Sequence, residues 1–470
     1  FTVMVTTETK PDLDQAVKRI IALGDEKGLV FKTYAGRQIQ AMNTTLPVGY
    51  RGVKNMRSLF TQCTAALMPF HVQELTEPDG IVYGVNQTSG QLIRGNRKLL
   101  TNGNGFIFGS TGYGKSVNAK MEMGQVLVST DDDLIVIDPQ NEYFDICRQW
   151  GGQVVNLSER SRDYMNPLDI PDHKHVGNIS DFIAEKVGFA MGICIRALDP
   201  MPFKPIYRSL VGRCIKNIYE DIFQNHKKES PTFVTFRDEL LKQPEEEAKE
   251  LAGVLEIFVD GSLSLFSHQS NVDIDNRFIC YGINDLGQGL RALALLVMIE
   301  NVSNRITSNA RIGKATWVYV DECHTILDDE YGLSTFEKLW KEVRKKGGLM
   351  TGITQNVIDC LVNKRTRTII SNSEYISMLS QSEFEQDTFD DILKMSDAQM
   401  KLITNAPRGT GIMKFGEKLL AFDNTVPKNS NLYRMFNTNL HEKAAMGHYE
   451  SGVNRDGNSP EEVNYNNPDN

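Results

Sequence analysis

The sequence predicts an α/β fold, a mainly parallel sheet with helices on both faces, interrupted by an all-helical insertion. Two patterns predict it. From about 104 to 425, short apolar runs alternate with helical stretches, and the runs lack the polar–apolar alternation of a one-sided sheet. Strands buried on both faces read this way, and helices must then cover both sides. From about 172 to 275 the strand-like runs fade and helical periodicity takes over.

In chain order the core strands are predicted at Phe106–Phe108, Leu134–Ile137, Phe278–Tyr281, Trp317–Val320, Leu349–Ile353 and Tyr375–Leu379. Helices are predicted in the insertion at Ser180–Met191, Ile206–Asp221 and Glu246–Phe258, and in the core at Ser334–Lys346. Ahead of the core, Phe1–Thr6 alternates like a strand and Asp12–Leu23 is an amphipathic helix. The resulting division is as follows. Residues 1–45 close a preceding domain, and 46–103 are a linker with short strands such as Gly80–Gly84. Residues 104–171 and 276–425 are the core, with 172–275 inserted; 426–470 extend it and are flexible from about 447, where composition turns polar. The chain opens on Phe1 and reads as part of a longer protein.

Bulk properties narrow the class. With 470 residues, 40% apolar and 24% charged, the chain can bury a large core unaided. The most apolar stretch, Leu290–Ile306, is broken by Arg291, Glu300 and Asn304 and reads as a buried helix, so no direct membrane span is expected. A net charge of −9 argues against a protein that coats nucleic acid, where a basic footprint is expected. Seven scattered cysteines without a CxxC pair suggest reduced structural thiols, as in a cytoplasmic protein.

The chemistry is concentrated in a few segments. Gly109-Ser110-Thr111-Gly112-Tyr113-Gly114-Lys115-Ser116 fits GxxxxGK[ST] between a strand and a helix, the context of a phosphate-binding P-loop. Its glycines let backbone N–H groups turn toward phosphate oxygens, and the helix N-terminus favours negative charge. Lys115 then reaches the β- and γ-phosphates of ATP, and the Ser116 hydroxyl ligates Mg²⁺. Trp317–Val320 followed by Asp321-Glu322 has the Walker B form: Asp321 holds Mg²⁺ and Glu322 acts as general base toward water. A strand with an acidic helix cap has the same local sequence; the P-loop beside it favours the functional reading.

Gln355, closing Gly352-Ile353-Thr354-Gln355, is a candidate γ-phosphate sensor. Arg344 is a candidate arginine finger supplied to a neighbouring subunit, against the alternative of a solvated basic face; Arg365 and Arg367 are lesser candidates. Asp138 or Glu142, after strand Leu134–Ile137, is expected near the nucleotide or a subunit boundary. His324 reads as packed or capping, and His173 with His175 as no metal site.

Together the P-loop, Asp138-Pro139-Gln140-Asn141-Glu142-Tyr143, Asn166-Pro167-Leu168-Asp169, Val320-Asp321-Glu322 and Arg344…Thr354-Gln355 resemble the VirB-four/TrbE/TraC/CagE family, ATPases of type IV secretion and conjugation. Leu46-Pro47, Ala65–Phe70 and Gly84-Val85-Asn86 resemble that family's linker. The resemblance spans about 45–425 and implies a RecA-like core of the HerA/FtsK branch. It implies self-assembly as a dimer or hexamer on the cytoplasmic face of the bacterial plasma membrane, against inner-membrane components of a secretion channel. A coupling protein and transferred DNA or protein are further implied partners. Asn141 stands where relatives often have Gly, and Leu168 where they often have Phe. Two other readings stay open at this stage: a coupling protein or FtsK/HerA-like DNA translocase, and a nucleotide-gated structural scaffold of the channel.

Overall fold

The computed structural model describes residues 2–26, 28–46, 48–54, 60–61, 72–158, 161–170, 178–261, 263–272, 276–284, 286, 288–327, 330–355, 360, 363–380, 395–404 and 406–437. Pro47, Ala65–Phe70, His173, His175 and the 438–470 tail lie outside them. The chain divides into two compact units, 1–71 and 72–470. The first carries helices Lys10–Glu26 and Gln38–Thr45. Residues 2–6 form no strand: their alternation finds no partner among the described residues.

Among its described residues the second unit is built on one sheet of eleven strands: β1 (Ile81–Asn86), β2 (Leu92–Gly95), β3 (Gly105–Phe108), β4 (Asp133–Asp138), β5 (Gln153–Asn156), β6 (Phe278–Gly282), β7 (Thr316–Val320), β8 (Gly348–Thr354), β9 (Tyr375–Leu379), β10 (Thr410–Phe415) and β11 (Lys418–Asp423). Their spatial order is β2-β1-β11-β10-β9-β3-β8-β7-β4-β6-β5. From β9 to β5 every pairing is parallel; β10, β11, β1 and β2 add an antiparallel flank. Strands β3, β4, β6, β7, β8 and β9 are buried at every position, which explains their unalternating sequence. Two apolar clusters line the two faces. One contains Phe106 and Val318, the other Ile107 and Tyr319, so successive residues point to opposite sides.

Between β5 and β6 the chain is helical: Ile179–Leu198, Pro205–Gln224, Phe233–Leu241, Glu246–Val254 and Glu256–Val259. The helix read as Glu246–Phe258 is broken at Leu255. Asn166 anchors this segment: buried, it donates from Nδ2 to Pro231 O at 2.9 Å and to Asp169 Oδ1 at 2.8 Å, and accepts from Leu168 N at 3.0 Å. Tyr219 and Lys186, from two of the helices, donate to the carbonyls of Leu168 and Pro167 at 2.7 and 2.9 Å. Asn166–Asp169 thus acts as a structural clasp.

Parallel order puts the carboxyl ends of β3, β4, β7 and β8 on one edge of the sheet, where ligands of open α/β sheets bind. Toward the amino ends of these strands, buried Arg97 ties the loop before β3 to its neighbours. It donates from Nη1 to Glu122 Oε1 at 3.0 Å and to Thr351 Oγ1 at 2.8 Å, and from Nε to Gly103 O at 2.9 Å. Its guanidinium lies 4.4 Å from the Tyr375 ring centroid.

Candidate active site

Gly109–Gly114 leaves the end of β3 and enters helix Lys115–Ser129. Gly112 and Gly114 have φ of +84° and +102°, values glycine adopts without steric cost. The loop is fastened from two sides: Ser110 N donates to Ser380 O at 3.0 Å, and Gly409 N to Tyr113 O at 3.1 Å. Lys115 is buried, and its Nζ donates to Gly109 O at 2.8 Å, which keeps the ammonium inside the curl.

Asp321 and Glu322 follow β7. Asp321 N still bonds to Ile137 O of β4 at 3.0 Å, so the carboxylate is placed by the sheet itself. Glu322 has φ of +42°, an uncommon conformation for a residue with a long side chain, costing about 1–3 kcal/mol. Its carbonyl accepts from Thr325 N at 3.0 Å and Thr325 Oγ1 at 2.9 Å, which holds the turn. His324 Nδ1 lies 3.2 Å from Glu322 Oε2 and 3.1 Å from Thr354 Oγ1. This histidine lies between the glutamate and the end of β8. Gln355 is next on that strand end, and its Oε1 accepts a hydrogen bond from Thr111 Oγ1 of the loop.

The turn after β4 shows why its residue types matter. Asp138 is buried and accepts from the backbone N–H groups of Gln140, Glu142 and Tyr143 at 3.3, 3.1 and 2.8 Å. Its oxygens therefore shape the turn. Asn141 sits at φ +61°, which asparagine tolerates where most residues do not. So shaped, the turn brings Glu142 to the P-loop helix: Ser116 Oγ donates to Glu142 Oε2 at 3.0 Å, and Lys120 Nζ to Glu142 O at 3.1 Å. Burial pushes the Asp321 carboxyl well above the usual carboxylate range, and the negative neighbours Glu142, Asp138 and Glu322 push it further. Burial also raises Asp138, against the pull of its three backbone donors.

Ser116 and Asp321 offer a hydroxyl and a carboxylate, hard oxygen ligands that suit Mg²⁺. Among the described residues no group of three or more His, Cys, Asp or Glu could hold a metal ion. That donor set fits a cation held largely by phosphate and water, as Mg²⁺ usually is.

Glu322, His324, Gln355, Gln140, Asn284 and Arg291 line one open cleft of about 480 Å³. Arg291 is a member that sequence reasoning missed, because it counted only as an interruption of an apolar helix. Its guanidinium is set by the carbonyls of Leu286 and Asn284 at 2.9 and 2.8 Å. Its place just past β6, at the same carboxyl edge, was the available signal.

Arg344 stands apart. The preceding helix ends at Val343, and Arg344 opens a short 3₁₀ turn before Gly348, the first residue of β8. Gln355 lies beyond the other end of that strand, roughly 20 Å away at the usual rise per residue. Arg344 is exposed and lies away from this chain's own P-loop. Arg365 is tied to Glu337, Nε to Oε2 at 2.7 Å.

A P-loop with Asp321-Glu322 two strands away, on a mainly parallel sheet covered by helices, defines a RecA-like P-loop NTPase. Residues 93–426 match the family of the TraG P-loop domain, and the chain belongs to that family. The resemblance to type IV secretion ATPases read from the motifs agrees with this. VirB4 of Thermoanaerobacter pseudethanolicus has a similar structure: TM-score 0.62 at 21% identity, over 76% of this chain and 98% of that one. The bacterial conjugative coupling protein TrwB is more distant, with TM-score 0.49 at 14% identity over 80% of this chain and 93% of that one. An uncharacterised protein of Bacillus anthracis is 32% identical over 180 residues, 34% of this chain. The match spans 27% of that protein's length. Among the described residues no helix is long and apolar enough to cross a membrane.

Proposed function

We propose that this chain binds ATP with Mg²⁺ and hydrolyses it as a motor of a type IV secretion or conjugation channel. It energises channel or pilus assembly and the transfer of DNA or protein. The observation that carries the reading is Glu322, held in a strained backbone in the same cleft as Gln355, which is itself bonded to Thr111 of the P-loop.

In this reading Lys115 and the loop N–H groups hold the phosphates, while Ser116 and Asp321 would hold Mg²⁺, which would supply charge neutralisation there. Glu322 takes the proton of the attacking water, and Gln355 orients that water or senses the γ-phosphate. Arg344 acts on a neighbouring copy in a dimer or hexamer. The assembly sits on the cytoplasmic face of the bacterial plasma membrane against inner-membrane channel components. Turnover of MgATP by the purified chain and its Lys115→Ala variant tests the site. Nucleotide binding and turnover are expected to vanish in the variant; undiminished turnover would sink the assignment.

A further inference from the structure

The cleft that holds Glu322 and Gln355 runs on past them. Gln140, Asn284 and Arg291 line its other end, and activation of water at Glu322 uses none of the three. We propose that this end is an exit subsite for orthophosphate, where Arg291 receives the γ-phosphate once it has been cleaved from the nucleotide. The proposal rests on the hydrolysis reading above and adds the route by which one product leaves.

Three observations carry it. The first is place. Along the carboxyl edge the strands run β3-β8-β7-β4-β6. The P-loop follows β3, Gln355 follows β8, Glu322 follows β7, Gln140 follows β4 and Asn284 follows β6. Neighbouring strands lie about 4.8 Å apart, so the end of β6 is roughly 10 Å past the end of β7. A triphosphate on the P-loop reaches only to Gln355 and Glu322. The Arg291 end of the cleft lies beyond, on the side away from the P-loop, so an anion there has left the nucleotide.

The second is charge. Arg291 donates from Nε to Leu286 O at 2.9 Å and from Nη2 to Asn284 O at 2.8 Å. These carbonyls fix the guanidinium and leave its charge uncompensated. Among the described residues that line the cleft, Glu322 is the single carboxylate, and it stands two strands away. An anion is repelled at the Glu322 end and attracted at the Arg291 end, which gives release a direction.

The third is the set of donors. A guanidinium carries its N–H groups in a fixed fork that matches phosphate oxygens in pairs. The two carbonyl bonds leave Nη1 for a ligand. The exposed amides of Gln140 and Asn284 add neutral donors for the remaining oxygens. With a volume of about 480 Å³ and an open mouth, the cleft lets hydrated orthophosphate through.

The test titrates orthophosphate, followed by phosphorus NMR line broadening, into the whole chain carrying Lys115→Ala, which disables the P-loop, and into Lys115→Ala/Arg291→Gln. The proposal predicts that the first binds orthophosphate and that the second binds it about tenfold more weakly or worse, the usual loss for a hydrogen bond to a charged group. It also predicts that Arg291→Gln alone keeps the wild-type affinity for ATP, while about tenfold more orthophosphate is needed to inhibit its ATP turnover. Equal orthophosphate affinity in the two Lys115→Ala chains, or none in either, would overturn the proposal. If Arg291→Gln alone loses ATP binding, Asn284→Asp replaces it and decides by the same criteria, since it sets a carboxylate beside the guanidinium. Absence of ATP turnover in wild type is read separately and would mean that the hydrolysis reading itself had failed.

Discussion

The Ser116 hydroxyl donates to the Glu142 carboxylate at 3.0 Å, joining the P-loop helix to the turn after β4. The residue expected to ligate Mg²⁺ is thus already oriented by a carboxylate from another strand end. Groups of this kind around a metal ligand typically cost 10–100-fold in affinity when altered. Glu142→Gln keeps the shape and removes the charge. The concentration of Mg²⁺, or of Mn²⁺ read by paramagnetic resonance, needed to half-saturate the ATP-loaded chain is expected to rise about 10-fold or more. An unchanged metal dependence would show that Glu142 only braces the turn.

Buried Arg97 gives a stability prediction. Arg97→Ala leaves Glu122 without its cation in a site where both side chains are almost wholly buried. Breaking such a pair from one side costs about 3–5 kcal/mol, whereas replacing both partners with apolar groups costs far less. Denaturant unfolding of Arg97→Ala and of Arg97→Met/Glu122→Met is expected to show that order. Equal losses in the two would contradict it.

Asp321 links the site to pH. Its carboxyl is raised first by burial and then by Glu142, Asp138 and Glu322. The folded chain therefore keeps this proton over a pH range in which the unfolded chain has lost it. Stability from this group is present at acid pH and is lost as pH rises through the folded value. Asp321→Asn removes the charge and retains an oxygen to accept from Glu322 N, a bond of 3.1 Å in the native chain. Without nucleotide, the variant is expected to melt above wild type at neutral pH, with the gap closing toward about pH 4, where an unfolded aspartate protonates. A lower Tm for the variant at neutral pH would refute this.

Arg344 calls for a mixing experiment, because it lies across the sheet from its own P-loop. Arg344→Ala subunits combined with Lys115→Ala subunits bring intact arginines beside intact P-loops in some interfaces. Partial recovery of ATP turnover is expected, since an arginine supplied in trans is worth about 10³–10⁵ in rate. No recovery in verified mixed oligomers would leave Arg344 a surface residue.

These relationships also mark what the sequence could convey. Gly109–Ser116 and Asp321-Glu322 were legible because each is a contiguous segment whose chemistry follows from local spacing. The six core strands were legible because burial on both faces leaves unbroken apolar runs. Strands β5, β10 and β11 were not: Gln153 and Asn156 bound the two apolar residues of β5, and Lys414 and Lys418 interrupt the apolar runs of β10 and β11. Helix Phe233–Leu241, nine residues long, was also missed. Glu142 was weighed near the site, but its meeting with Ser116 depends on the turn that Asp138 and Asn141 make. Arg291 enters the cleft through the order of strands β8, β7, β4 and β6, which no local pattern encodes. The helix drawn through Lys346 ends at Val343; a 3₁₀ turn follows, closed by Gly347 at φ +71° just before β8.

The central claim is that Glu322 activates water for hydrolysis of a nucleotide held by the P-loop. Its most direct measurement is ATP binding and ATP turnover by Glu322→Gln, made on the same preparation. The account predicts binding within about twofold of wild type and turnover lower by about 10²–10⁴, with unhydrolysed ATP retained on the chain. Turnover equal to wild type, with contaminating ATPases excluded, would contradict it.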